Sequence, residues 1–187
     1  ECVPQSVEMW LALARLETHM NARQVLNRMR QVLPTEPLTW LTAARLEEAH
    51  GAPVEMLQKI VSRMLTSMSQ GQIVTSRDSW IEQAVACEMA EAPMTCMVLV
   101  NAIIGQDVAN EDRLDTWTSD SETLLARSPP CPATARAVLD HAISVLSAET
   151  GLYFALVDLE RKHGNADKLM SVLRSAVEAC PHTEVFW

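Results

Sequence analysis

The chain has 187 residues, 48% of them hydrophobic, and a formal net charge of −9. Apolar content at that level excludes disorder, and the negative balance excludes a surface built mainly to neutralise nucleic-acid phosphates, which takes clustered Lys and Arg. Five glycines, one tyrosine and two phenylalanines beside ten methionines favour helix over sheet.

The elements follow one another in pairs. Around Trp10, "WLALARLE" opens a helix over about 6–19, and "ARQVLNRMRQVL" a second over 22–33, its apolar residues Val25, Leu26, Met29, Val32 and Leu33 falling three and four apart. Pro34 ends that helix by pushing the residue before it out of helical geometry. Pro37 occupies the first turn of the next, 37–50, where a missing N–H costs nothing. Its partner is "VEMLQKIVSRML" within 53–68, and the long connection "SMSQGQIVTS" leads to helices over 77–91 and 94–105. Segments 110–126 and 133–147 form the fourth pair, with "SPPCP" between them, and 150–163 and 166–180 the fifth, closed by Pro181. In three units Asn21, Gly51 and Gly164 stand eleven residues beyond the aromatic, residue types that tolerate the left-handed conformation ending a helix. His50 and His163 precede two of them, placed to meet the last carbonyls.

The pairs repeat. Trp10, Trp40, Trp80, Trp117, Tyr153 and Trp187 are spaced by 30, 40, 37, 36 and 34 residues, the range of stacked supersecondary units. Four residues after the first four aromatics come Ala14, Ala44, Ala84 and Ser121, and seven after three of the six come Glu17, Glu47 and Glu160. A ring beside a small residue suits close helix packing, the ring filling a gap and the small residue admitting a neighbouring backbone. One carboxylate per unit points to an ion pair or hydrogen bond between adjacent units; paired acid/base chemistry is the alternative. The expected architecture is an all-α, right-handed α-solenoid of about five antiparallel helix pairs, a single array of units near 5–34, 35–70, 76–106, 110–147 and 149–181. "PQSVEMW", "PTEPLTW" and "PHTEVFW" share one proline-to-tryptophan spacing, so a sixth unit is expected to start at 182. The array is then a piece of a longer one, with an apolar end open to self-association.

No catalytic, cofactor or metal site is expected. Cys2, Cys87, Cys96, Cys131 and Cys180 are odd in number and scattered, which reads as reduced thiols, and the five histidines form no H-x-x-x-H or H-E-x-x-H pattern. There is no Gly-rich phosphate loop or G-x-S-x-G elbow, no apolar run long enough for a membrane, and no interleaving of aromatic with basic residues that would stack RNA bases. Two features stay open. The acidic stretch Asp107, Glu111, Asp112, Asp115, Asp120 and Glu122, broken by Arg113, is either a solvated face or a dock for a basic partner. Met56, Met64, Met68, Met89, Met94 and Met97 are either core or an adaptable groove.

The tetratricopeptide pattern puts glycine four and tyrosine seven positions after its tryptophan, where this chain has Ala14 and Glu17, Ala44 and Glu47. The early Trp, small residue and Glu of the first helix, with "ARxVL" and a closing Pro around the second, resemble instead the HAT (half-a-tetratricopeptide) repeat proteins of RNA processing. The order of "CPQSVEMWLALARLE", "WLTAARLEEAHG", "RDSWIEQAVACE", "TCMVLVNAIIG", "EDRLDTW" and "ACPHTEVFW" is similar to the spliceosomal branch of that family. The resemblance implies a non-catalytic scaffold in the nucleus, bridging proteins of the U4/U6-U5 tri-snRNP. Scaffolds of mRNA 3′-end formation or ribosomal RNA processing, and a tetratricopeptide-like peptide clamp with a basic, Asn-bearing groove, are the other readings. Tyr153 in place of Trp and the missing Ala and Glu of the fourth unit depart from the pattern.

Overall fold

The computed structural model describes residues 6–106 and 108–180. Among these the fold is an all-α helical repeat of ten α-helices and no strand: α1 (Val7–Leu16), α2 (His19–Val32), α3 (Pro37–Ala49), α4 (Val54–Gln70), α5 (Arg77–Met89), α6 (Pro93–Ile103), α7 (Arg113–Leu125), α8 (Pro132–Val145), α9 (Thr150–His163) and α10 (Ala166–Ala179). Odd-numbered helices begin each pair and even-numbered helices close it. The chain groups into two compact units, one ending at Ala102 and one beginning at Ile103. Trp187, Asp107 and the expected sixth start at 182 lie outside the described residues.

Local chemistry sets the helix ends. Ser6, Ser76 and Asn165 accept a backbone N–H three residues on, and Pro37 and Pro132 fill first-turn positions. At the far end, α3, α4 and α5 close with the same pair of bonds. In α3 the Ala52 N–H reaches the Glu47 carbonyl and the Gly51 N–H the Glu48 carbonyl. In α5, Ala92 reaches Cys87 and Glu91 reaches Glu88; in α4, Ile73 reaches Met68 and Gln72 reaches Ser69. These are Schellman closures, and each needs a left-handed residue: Gly51 (φ 76°), Glu91 (φ 59°) and Gln72 (φ 54°).

Three of the second helices, α2, α8 and α10, end alike by another route. Leu33, Leu146 and Cys180 have φ/ψ of −128/66, −118/58 and −127/64, each N–H bonded to the carbonyl four residues back. Proline follows Leu33 and Cys180, but Ser147 follows Leu146. In these three the exit geometry does not depend on proline.

Three expectations need correction. Asn21 does not end a helix: α1 stops at Leu16, Glu17 and Thr18 are extended, and Asn21 lies in the first turn of α2. Gly164 is not left-handed (φ −103°, ψ −152°); a Cβ there would strike the Glu160 side chain and backbone, so close approach demands the glycine. The fourth unit opens with a 3-10 turn at Asn110–Asp112 rather than with α-helix, because α7 starts only at Arg113.

Candidate functional site

The repeat aromatics carry one recurring bond. Trp40 Nε1 donates to the Pro34 carbonyl at 2.9 Å, Trp117 Nε1 to Ile104 at 3.0 Å and Tyr153 Oη to Ser147 at 3.3 Å. In each case the acceptor lies just past the preceding second helix, where a carbonyl is left without an intrahelical partner. Tyr153 thus keeps the function of the Trp it replaces, since both rings end in a donor. Trp80, Trp117 and Tyr153 are buried, as are Ala14, Ala44, Ala84 and Ser121. Trp10 and Trp40 are only half-buried. Trp10 packs on the cluster of Ala14, Ala22, Leu26, Met29 and Ala43, while Trp40 carries the Arg30 guanidinium over its face at 5.0 Å.

The unit carboxylates are tied to arginines. Glu47 Oε1 meets Arg23 Nε at 2.7 Å, and Glu160 takes both Nε and Nη2 of Arg136, the latter at 3.2 Å. Both arginines belong to the "ARxVL" segment of the preceding second helix, and both pairs span 24 residues. Each bond therefore joins one helix pair to the next. Glu17 behaves otherwise: it is exposed at the end of α1 and accepts from Asn21 at 2.9 Å within its own pair. In the third unit the equivalent position is Cys87, and Glu48 instead accepts the Met94 and Thr95 N–H groups at 2.8 and 2.7 Å, an anion on the N-terminus of α6. His19 stacks on His50 at 3.7 Å, and His50 Nδ1 lies 2.8 Å from the Leu46 carbonyl.

Between α2, α3 and α4 lies a cavity of about 300 Å³ lined by Arg23, Asn27, Arg30, Glu47, Lys59 and Arg63, with Ala43, Met56 and Ile60. Arg23, Asn27 and Arg30 share one face of α2 by their spacing, and Met56, Lys59, Ile60 and Arg63 one face of α4. Arg30 Nη2 donates to Asn27 Oδ1 at 2.5 Å. Burial, the nearby Arg63 and, more weakly, Arg23 lower the Arg30 pKa, with Glu47 opposing them. Sequence reasoning passed over these cations because they are dispersed along an acidic chain. The signal was present in the two helical spacings, three to four apart on each side of the cavity.

The remaining candidates resolve by placement. Glu111 and Asp112 sit in the exposed 3-10 turn and Asp115 in the first turn of α7, where acidic residues complement the helix N-terminus. Met64 and Met68 are core, Met56 lines the cavity, and Met89 and Met94 are exposed. Among the described residues no group of three or more His, Cys, Asp or Glu could hold a metal, and no helix is long and apolar enough to cross a membrane.

No family model matches the chain. Over 170 residues it is 37% identical to pre-mRNA-splicing factor prp1 of Schizosaccharomyces pombe, across 91% of this chain and 18% of that protein. Over 107 residues it is 40% identical to pre-mRNA-processing factor 6 of Homo sapiens, across 57% of this chain and 11% of the relative. Pre-mRNA-splicing factor 6 of Saccharomyces cerevisiae is 30% identical over 103 residues, across 54% and 12%. The chain spans less than a fifth of the length of each of these relatives.

Proposed function

This chain belongs to the pre-mRNA-processing factor 6-like family, and from that premise we propose that it is a non-catalytic scaffold of pre-mRNA splicing, acting in the nucleus to hold proteins of the U4/U6-U5 tri-snRNP together. The 37% identity across 91% of the chain carries the reading. The site chemistry supports it. Glu47 and Glu160, the carboxylates that could have formed acid/base pairs, are committed to arginines between helix pairs. Stacking by such ties leaves the outward faces of successive pairs free to hold partners.

The test is affinity capture from nuclear extract on the immobilised chain, after nuclease digestion to remove contacts made through RNA. Enrichment of tri-snRNP proteins over a control helical repeat of equal net charge is expected. Equal recovery by the two baits overturns the proposal.

A further inference from the structure

The cavity between α2, α3 and α4 concentrates positive charge in a chain whose net charge is −9. Four cations line it, and its one carboxylate, Glu47, is already held by Arg23. Among the described residues no carboxylate forms an ion pair with Arg30, Lys59 or Arg63. Like charges gathered in this way repel one another, and the repulsion is relieved when an anion sits among them. We propose that the cavity binds an anionic side chain, a phosphorylated Ser or Thr or a carboxylate, presented by a linear segment of a partner protein.

The geometry fits that ligand. Arg30 is held in place from two directions, by Asn27 Oδ1 and by the Trp40 face, so its fork is oriented before binding. Arg63 and Lys59 stand one turn apart on the opposing helix. A volume of about 300 Å³ is at the small end of ligand sites and suits one group with its aliphatic stem, which Ala43, Met56 and Ile60 would contact. Nucleic acid fits less well. A single strand needs a basic groove that tracks its backbone and aromatic faces for its bases, whereas no aromatic residue lines the cavity and the Trp40 ring carries Arg30.

The inference deepens the scaffold reading, and rests on it for the partner's being a protein. Its test uses small probes, so its failure and a failure to capture tri-snRNP proteins are separate results. N-acetyl-phosphoserine methylamide and N-acetyl-glutamate methylamide are titrated into the chain while the Arg Nε–H and Trp Nε1–H resonances are followed by NMR. Saturable shifts at Arg30, Arg63 and Trp40 are expected, and those at Arg30 and Trp40 are abolished in Lys59→Gln/Arg63→Gln. Tighter binding of the phosphoserine probe identifies a phosphorylated segment, and equal binding an acidic one. If the double variant loses helicity by circular dichroism, the exposed single change Lys59→Gln must still weaken binding severalfold. Absence of saturable shifts with both probes, or affinity unchanged by these substitutions, overturns the proposal. So does a ten-nucleotide uridine RNA that binds more tightly than either probe and is lost in the same variants.

Discussion

Arg136 of α8 and Glu160 of α9 grip one another through two guanidinium nitrogens, across the same 24 residues that separate Arg23 from Glu47. The two pairs differ in burial. Glu160 and Arg136 side chains are 2% and 21% exposed, against 11% and 41% for Glu47 and Arg23. Removing Glu160 strands the guanidinium of a mostly buried Arg136, whereas removing Glu47 leaves the more exposed Arg23, which water can resolvate. Glu160→Ala is therefore expected to destabilise by about 3 kcal/mol, Glu47→Ala by about 1 kcal/mol, and Glu17→Ala by less than about 0.5 kcal/mol. Urea midpoints at constant m-value check the order; a Glu17 effect equal to that of Glu160 would contradict it.

Tyr153→Phe keeps the ring and removes the donor to the Ser147 carbonyl, so a loss of about 1 kcal/mol is expected. Trp117→Phe removes both a donor to Ile104 and much of a fully buried ring, and should cost more than Tyr153→Phe. Tyr153→Trp restores the donor type found at the other repeat positions. Chemical denaturation of the three variants provides the comparison.

The Cys87 thiol is pushed up to about 11, chiefly by burial, with Arg45 lowering it and Glu48 raising it. Its neutral form is favoured in the folded state. Stability from this group is present below the ordinary thiol value of 9.0 and is lost as pH rises from there through about 11, because the unfolded chain releases the proton first. Cys87→Ala should therefore show a shallower fall in urea midpoint between those limits than the parent. At neutral pH, mass spectrometry after iodoacetamide should find Cys87, Cys96 and Cys131, all buried, unlabelled until denaturant is added.

Left-handed backbone predicts opposite signs at equivalent positions. Glu91 is exposed with φ 59°, so Glu91→Gly should stabilise by up to about 1 kcal/mol through relief of that conformation. Gly51 has φ 76° and open space around a Cβ, so Gly51→Ala should cost about 1 kcal/mol. Gly164→Ala should cost more than Gly51→Ala, since its Cβ meets the Glu160 backbone and side chain. Thermal unfolding of the three variants reads the signs directly.

The helix pairs were legible in the sequence because their causes are local. A stripe of apolar residues, a cap and a left-handed terminator act within a few residues, and the ring and small-residue positions recur whenever the same hairpin is built. The spacing of the aromatics likewise implies stacking, because one helix pair cannot bury its apolar face alone. What only the tertiary structure decided were relations between helices. Glu47 and Glu160 find arginines in the preceding pair while Glu17 turns to Asn21, and Gly164 is required by proximity to Glu160 rather than by φ. Arg30, Lys59 and Arg63 become one charged cavity only when α2 and α4 face each other across α3. Electrostatic energy depends on separation in space, and the chain brings together charges that its order keeps tens of residues apart.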